Sequence, residues 1–261
     1  MAALLEVRGL SNFFGNVCTA RDLSLDFEEG VLTSVIGPNG AGKSTLVNLV
    51  TGHLPVQRGR ILFQGREVTR LPVHRRVRLG MGRSFQIANV FPQLSVLQNV
   101  LIPALALRGR TSRLFGRVSR EQAVRLECEQ LLERVGLSAE RDVAASALSH
   151  GDRRLLEVGL AMASRPRLLF LDEPTAGMNP VERTRLLASI RALAQEKRAT
   201  FVLVEHDMDV VFALSQRVVV LHRGELLCDG PPERVRGDPG VREVYLGDEV
   251  SAAATGGAAA P

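Results

Sequence analysis

Gly37-Pro38-Asn39-Gly40-Ala41-Gly42-Lys43-Ser44-Thr45 decides how this chain is read. The nonapeptide fits G-x-x-x-x-G-K-[ST], the phosphate-binding loop. Residues 31–36 before it are a short apolar, β-branched run that reads as a buried strand. Residues 45–50 after it read as the first turns of a helix. The glycines let the backbone fold into a cradle whose N–H groups point at one phosphate chain, and the helix N-terminus adds partial positive charge there. Lys43 can reach the β- and γ-phosphates, and the Ser44 hydroxyl can ligand Mg²⁺.

A loop of this kind needs carboxylates, and the chain supplies them. Leu168-Leu169-Phe170-Leu171-Asp172-Glu173 is an apolar strand ending in two acids. The first can hold the Mg²⁺ shell and the second can polarise an attacking water. Gln86 ends the segment Gly82-Arg83-Ser84-Phe85-Gln86, and His206 follows the apolar run 201–204. Alone they read as a surface amide and a helix-capping imidazole. At strand ends, on the edge that bears the phosphate loop, they read as site residues.

Antiparallel strands are expected at 4–8 and 23–27, with a short strand at 60–63. The apolar runs 168–171, 201–204 and 218–221, separated by helical segments, predict parallel strands in βαβ units. A terminal hairpin turns at Arg223-Gly224. From 96 to 164 the pattern is almost wholly helical. Val124, Cys128, Leu131, Leu132 and Val135 form one apolar stripe, and Gly136 follows as a C-cap. A helical insert therefore interrupts a nucleotide-binding α/β core.

Composition sets the outer bounds. The chain has 261 residues, enough for a full core, with 45% apolar and 23% charged residues. Its net charge of +5 comes from arginine, since only Lys43 and Lys197 are lysine. Scattered basic residues, one tyrosine and no tryptophan argue against nucleic acid as a partner. The densest basic run, His74-Arg75-Arg76-Val77-Arg78, reads as a solvated helix face. Cys18, Cys128 and Cys228 lie far apart, which fits a reducing compartment rather than a zinc site or disulfide framework. No run is long and apolar enough to span a membrane, and no signal peptide is evident. The Ala/Gly-rich tail after residue 250 reads as disordered.

With these motifs in order, the chain resembles the nucleotide-binding subunit of an ATP-binding cassette (ABC) transporter over roughly residues 4–247. The resemblance rests on Phe14, the phosphate loop, Gln86, Leu148-Ser149-His150-Gly151-Asp152, the carboxylate strand, Ala176-Gly177-Met178-Asn179-Pro180 and His206. It implies an α/β fold: a P-loop NTPase core, RecA-like and mainly parallel, with an N-terminal antiparallel β-subdomain and an inserted α-helical subdomain. The expected boundaries are a single domain over 1–247, with core segments 1–88 and 165–247, a helical subdomain at about 89–164, and a tail at 248–261.

The resemblance also implies roles. Phe14 stacks on adenine, and residues 37–45, including Pro38, Asn39, Gly40 and Ala41, hold the phosphates. Ser44, Gln86 and Asp172 serve Mg²⁺. Glu173 is the general base, His206 the γ-phosphate sensor, and Gln86 the link to the transmembrane partner. Two cassettes pair head to tail, as a homodimer or heterodimer, so that Ser149 and Gly151 of one meet the ATP of the other. The further partners are transmembrane permease subunits and, indirectly, a periplasmic or extracellular substrate-binding protein. The place implied is the cytoplasmic face of the membrane, as a peripheral subunit. An exposed Phe91, just after the glutamine loop, is expected to anchor a permease helix.

Three positions depart from the family pattern. His150 replaces a glycine and requires a negative φ. Asp152 places an acid, favourable in a helix's first turn, beside a phosphate-binding turn. Asn179 stands where many relatives have Asp. Within the family, residues 82–86, 89–96, 205–208 and 238–247 are most similar to ATPases of branched-chain amino acid importers. Urea and amide importer ATPases share these stretches, and ATPases of lipopolysaccharide export have similar length. A soluble ABC clamp on nucleic acid needs a long coiled coil or two cassettes in one chain. A small P-loop kinase lacks the signature motif and the switch histidine.

Overall fold

The computed structural model describes residues 3–15, 17–84, 90–108 and 122–245. Gln86, residues 109–121 of the helical stretch and the tail 248–261 lie outside the described residues. In chain order the elements are β1 (Ala3–Phe14), β2 (Val17–Glu28), β3 (Thr33–Ile36), α1 (Lys43–Thr51), β4 (Arg58–Phe63), β5 (Arg66–Glu67), α2 (Val73–Arg78), β6 (Met81–Arg83) and α3 (Val96–Leu107). Then follow α4 (Gln122–Val135), α5 (His150–Ala163), β7 (Leu168–Asp172), α6 (Pro180–Gln195), β8 (Thr200–Val204), α7 (Met208–Leu214), β9 (Arg217–His222), β10 (Glu225–Gly230) and α8 (Pro232–Gly237). They divide into two compact units, Met1–Leu71 with Val202–Pro261, and Pro72–Phe201.

In the first unit an antiparallel sheet runs β2-β1-β4-β5. Leu5, Val7 and Leu10 of β1 and Leu23, Leu25 and Phe27 of β2 are buried. On the other side Arg8 pairs with Glu6 at 2.8 Å and with Asp26. Both strands extend well past the expected 4–8 and 23–27, because register shifts along the hairpin keep them paired where the apolar alternation breaks down. A second group of strands runs β10-β9-β3-β8, parallel from β9 to β8, with β10 antiparallel at its end. Thr33 sits opposite both Val202 and Arg217. Every residue of β3 and β8 is buried, the polar Thr33, Ser34 and Thr200 included, which is why neither strand shows the alternation of a half-exposed one. Parallel pairing sends the C-terminal ends of β3 and β8 to one edge, where open α/β sheets place their ligands.

Helices α7 and α8 close this unit. Val211, Val235 and Val241 pack with Ile36, Val218, Val220 and Cys228. The Arg217 guanidinium takes Asp229 through two nitrogens, at 2.7 and 2.5 Å, and donates to the Asp26 carbonyl at 2.7 Å. The paired Asp229 carboxylate holds the Arg217 pKa above its usual value.

In the second unit β6 and β7 pair in parallel, Met81 opposite Leu168. Helices α3, α4 and α5 pack on one another, and α6 packs on α4 and α5. The stripe Val124, Cys128, Leu131, Leu132 and Val135 is buried throughout. Burial pushes the Cys128 thiol up to about 11, so it packs as a small apolar group. Gly136 ends α4 at φ 79, as expected of a C-cap glycine. The basic run 74–78 does form a helix, but it is not a solvated face throughout. Arg76 is 2% exposed, and burial lowers its pKa to about 10. The helix α1 starts at Lys43, two residues before the sequence suggests.

One buried polar side chain organises the entry to α3. Ser95 caps the helix in a reciprocal box with Gln98. Asn99 accepts from the Phe91 N–H at 2.8 Å and donates to the carbonyls of Phe91, Leu94 and Ser95 at 3.1, 3.2 and 2.9 Å. The turn 91–95 is thereby pinned to the helix. Asn99→Leu keeps the branched shape and removes all four bonds. It should lower stability by about 1–3 kcal/mol, read as a lower denaturation midpoint.

Candidate functional site

The phosphate loop follows β3 and tolerates only glycine at two places. A Cβ at Gly37, with φ 149, would lie 2.2 Å from the Leu221 carbonyl oxygen. At Gly42, with φ 100, it would lie 2.5 Å from the Thr19 carbonyl oxygen. Gly224 braces the loop from below: its N–H donates to the Ala41 carbonyl at 3.0 Å, and its carbonyl accepts from the Arg21 N–H at 2.9 Å. Nothing lies within 4 Å of a Cβ placed at Gly40, so the cradle opens to solvent there. Asn39, Gly40 and Ser44 are exposed, Pro38 and Thr45 half-buried, Gly37 and Ala41 buried. Lys43 is 9% exposed, and its ammonium donates to the carbonyls of Gly37 at 2.5 Å and Pro38 at 3.0 Å. An ammonium held by two backbone carbonyls beside a helix N-terminus fits a polyphosphate chain, whose oxygens can replace them.

Two other residues of the first unit were expected at this site. Phe14 ends β1 and is 51% exposed. His206 leaves the end of β8 and is exposed, after Glu205, which is 1% exposed. Asp207 caps α7 by accepting from the N–H groups of Asp209 and Val210 at 3.0 and 3.3 Å.

The second unit carries the carboxylates. Asp172 ends β7, and its Oδ2 accepts from the Arg83 guanidinium at 2.6 Å. The Arg83 side chain is 1% exposed. Glu173 follows with an exposed side chain and φ 46, a left-handed backbone that a non-glycine residue adopts rarely and that clusters at functional sites. A hard oxygen donor such as the exposed Ser44 hydroxyl suits Mg²⁺, which takes few protein ligands. Among the described residues no three His, Cys, Asp or Glu side chains form a cage for another metal.

Ser149 caps α5, accepting from the Asp152 N–H at 3.0 Å. His150 is the first helical residue, with a negative φ, so the missing glycine costs no strain. Asp152 Oδ1 receives Arg185 at 2.6 Å, which neutralises the added acid. Asn179 caps α6 through the Val181 and Glu182 N–H groups, both at 3.0 Å. Sequence reasoning missed Arg83, Glu182 and Arg185. Each acts on a partner 31 to 89 positions away, and only Glu182, three residues after the Asn179 cap, carries a local pattern, the capping box.

Phe91 is 48% exposed and borders a cavity of about 390 Å³ lined also by Val77, Asn99, Ile102, Pro103 and Leu160. Among the described residues no helix is long and apolar enough to cross a membrane.

Known proteins resemble this chain in sequence and fold. The ABC transporter profile matches residues 20–176, and the profile of branched-chain amino acid ATP-binding cassette transporters matches residues 225–251. The chain is 38% identical over 251 residues to the high-affinity branched-chain amino acid transport ATP-binding protein BraF of Pseudomonas aeruginosa, covering 94% of this chain and 98% of the relative. It is 36% identical to the lipopolysaccharide export system ATP-binding protein LptB of Acidithiobacillus ferridurans, covering 95% and 99%. A crystal structure of an ABC transporter's ATP-binding cassette in its ADP conformation superposes with a TM-score of 0.83 at 28% identity, covering 95% of this chain and all of that one. The chain therefore belongs to the ABC transporter family, as one of its ATP-hydrolysing subunits.

Proposed function

We propose that this chain energises the import of branched-chain amino acids, as a peripheral subunit on the cytoplasmic face of the membrane. The match of its residues 225–251 to the branched-chain amino acid transporter profile carries the reading. Overall identity does not separate import from export, since relatives of both kinds lie at 36–38%. The expected test is leucine-loaded binding protein stimulating ATP hydrolysis by the complex of this chain with its permease. Stimulation absent with leucine, isoleucine and valine alike would overturn the substrate.

The working parts are proposed as follows. The loop 37–45 holds the phosphates, and Phe14 stacks on the adenine. Lys43 exchanges its bonds to Gly37 and Pro38 for phosphate oxygens. Ser44, Asp172 and Gln86 would hold Mg²⁺, which neutralises charge on the phosphate oxygens. Arg83 fixes the Asp172 rotamer while leaving its other oxygen free of that pair. Glu173 takes the proton of the attacking water, and His206 senses the γ-phosphate. Ser149 and Gly151 meet the ATP of a second cassette, in a homodimer or in a heterodimer with another ABC ATPase subunit. Phe91 and the neighbouring cavity seat a cytoplasmic helix of the permease. A mixed apolar and aromatic concavity of that size suits a single helix turn.

Three measurements check these roles. Lys43→Ala removes the charge that stabilises the transferring phosphoryl group, and hydrolysis should fall by about 10²-fold or more. Parent-like turnover in that variant would refute the site. Glu173→Gln keeps shape and binding but removes the base, so light scattering with Mg-ATP should show twice the monomer mass. Phe91→Asp should leave basal hydrolysis near the parent rate while the permease no longer copurifies. Retained copurification would place the docking surface elsewhere.

A further inference from the structure

The two donors of the signature turn are already occupied in this chain by its own carboxylates. The Gly151 N–H donates to Glu182 Oε1 at 3.2 Å. The Ser149 hydroxyl donates to Asp152 Oδ2 at 2.8 Å. Neither contact is incidental to the packing. A Cβ at residue 151 would lie 2.7 Å from Glu182 Cγ, so glycine is what lets the Glu182 side chain lie over the turn. Glu182 is itself aimed from the start of α6, where its Oε2 accepts from the Asn179 N–H at 3.4 Å while Asn179 caps the helix. Asp152 is held from the other side by Arg185, which also donates to the Gly136 carbonyl at the end of α4.

A carboxylate and a phosphate are both oxyanions, and both seek N–H and O–H donors at a helix N-terminus. We propose that Glu182 and Asp152 form an autoinhibitory contact: they occupy the signature turn in the place of a phosphate, and a second cassette's ATP engages only by displacing them. This rests on the reading that Ser149 and Gly151 meet the partner's nucleotide. The charges fix the signs. Glu182 carries a negative charge with which an arriving phosphate must compete. Arg185 does the reverse, compensating the Asp152 charge through the carboxylate's other oxygen. Glutamine at residue 182 retains the capping box, which accepts Glu or Gln alike, but loses the charge-assisted bond.

The experiment uses the full chain in the Glu173→Gln background, where ATP drives dimerisation without turnover. Light scattering reads the ATP concentration that gives half-maximal dimer. Adding Glu182→Gln should lower that concentration about ten-fold, the difference between a charged and a neutral hydrogen bond. Asp152→Asn should move it the same way. Arg185→Ala, which leaves the Asp152 charge uncompensated, should move it the opposite way. Affinity of the monomer for a fluorescent ATP analogue, measured below the dimerisation concentration, should stay constant in all three. A midpoint unmoved or raised by Glu182→Gln refutes the contact, as does a shift of Glu182→Gln and Arg185→Ala in one direction. If the Glu173→Gln protein binds ATP but never dimerises, the composite-site reading falls and this inference falls with it. If it dimerises and only the shifts are missing, the autoinhibitory contact alone is lost.

Discussion

The chemistry of this chain hangs from a strand of four residues. Thr33, Ser34, Val35 and Ile36 are wholly buried between β8 and β9, and the Ser34 hydroxyl meets that of Ser215 at 2.5 Å in the interior. A strand paired on both sides cannot shift its register without turning apolar groups out of the core. Its C-terminal end therefore fixes where Gly37 begins. From Gly37 the loop has no latitude, because the Leu221 and Thr19 carbonyls stand where side chains would go. The cradle is shaped by what packs beneath it as much as by its own glycines.

What the sequence discloses is what physics makes local. The phosphate loop is legible because one contiguous backbone segment performs the binding. The runs around 168–171, 201–204 and 218–221 are legible because strands buried on both faces carry no polar alternation. The α4 stripe is legible because a single helix repeats its apolar face every turn. Arg76 is different. In a helix of six residues rich in arginine, nothing local marks which one packing will cover. The ion pairs Arg83–Asp172 and Arg185–Asp152 and the Asn99 bonds to the turn 91–95 are side-chain choices made after the elements have met.

The departures from the family's signature follow the same logic. His150 and Asn179 are benign for local reasons, one sitting at an ordinary helical φ and the other serving as an N-cap. The Asp152 charge is compensated by Arg185, thirty-three positions on. An unusual residue in a motif is thus best judged with its neighbours in space, since compensation for a charge requires only another charge at hydrogen-bond distance.

The brace beneath the phosphate loop has an evolutionary consequence. Gly42 and Gly224 both press on the Thr19–Ala20 backbone, at 2.5 Å from the Thr19 oxygen and 3.1 Å from the Ala20 Cα for an added Cβ. Three segments far apart in the chain, in β2, in the loop and in the β9–β10 turn, thereby share one small volume. None can drift alone. A chimera that exchanged the first thirty residues with those of a relative would inherit a mismatched floor unless the hairpin around residue 224 travelled with them.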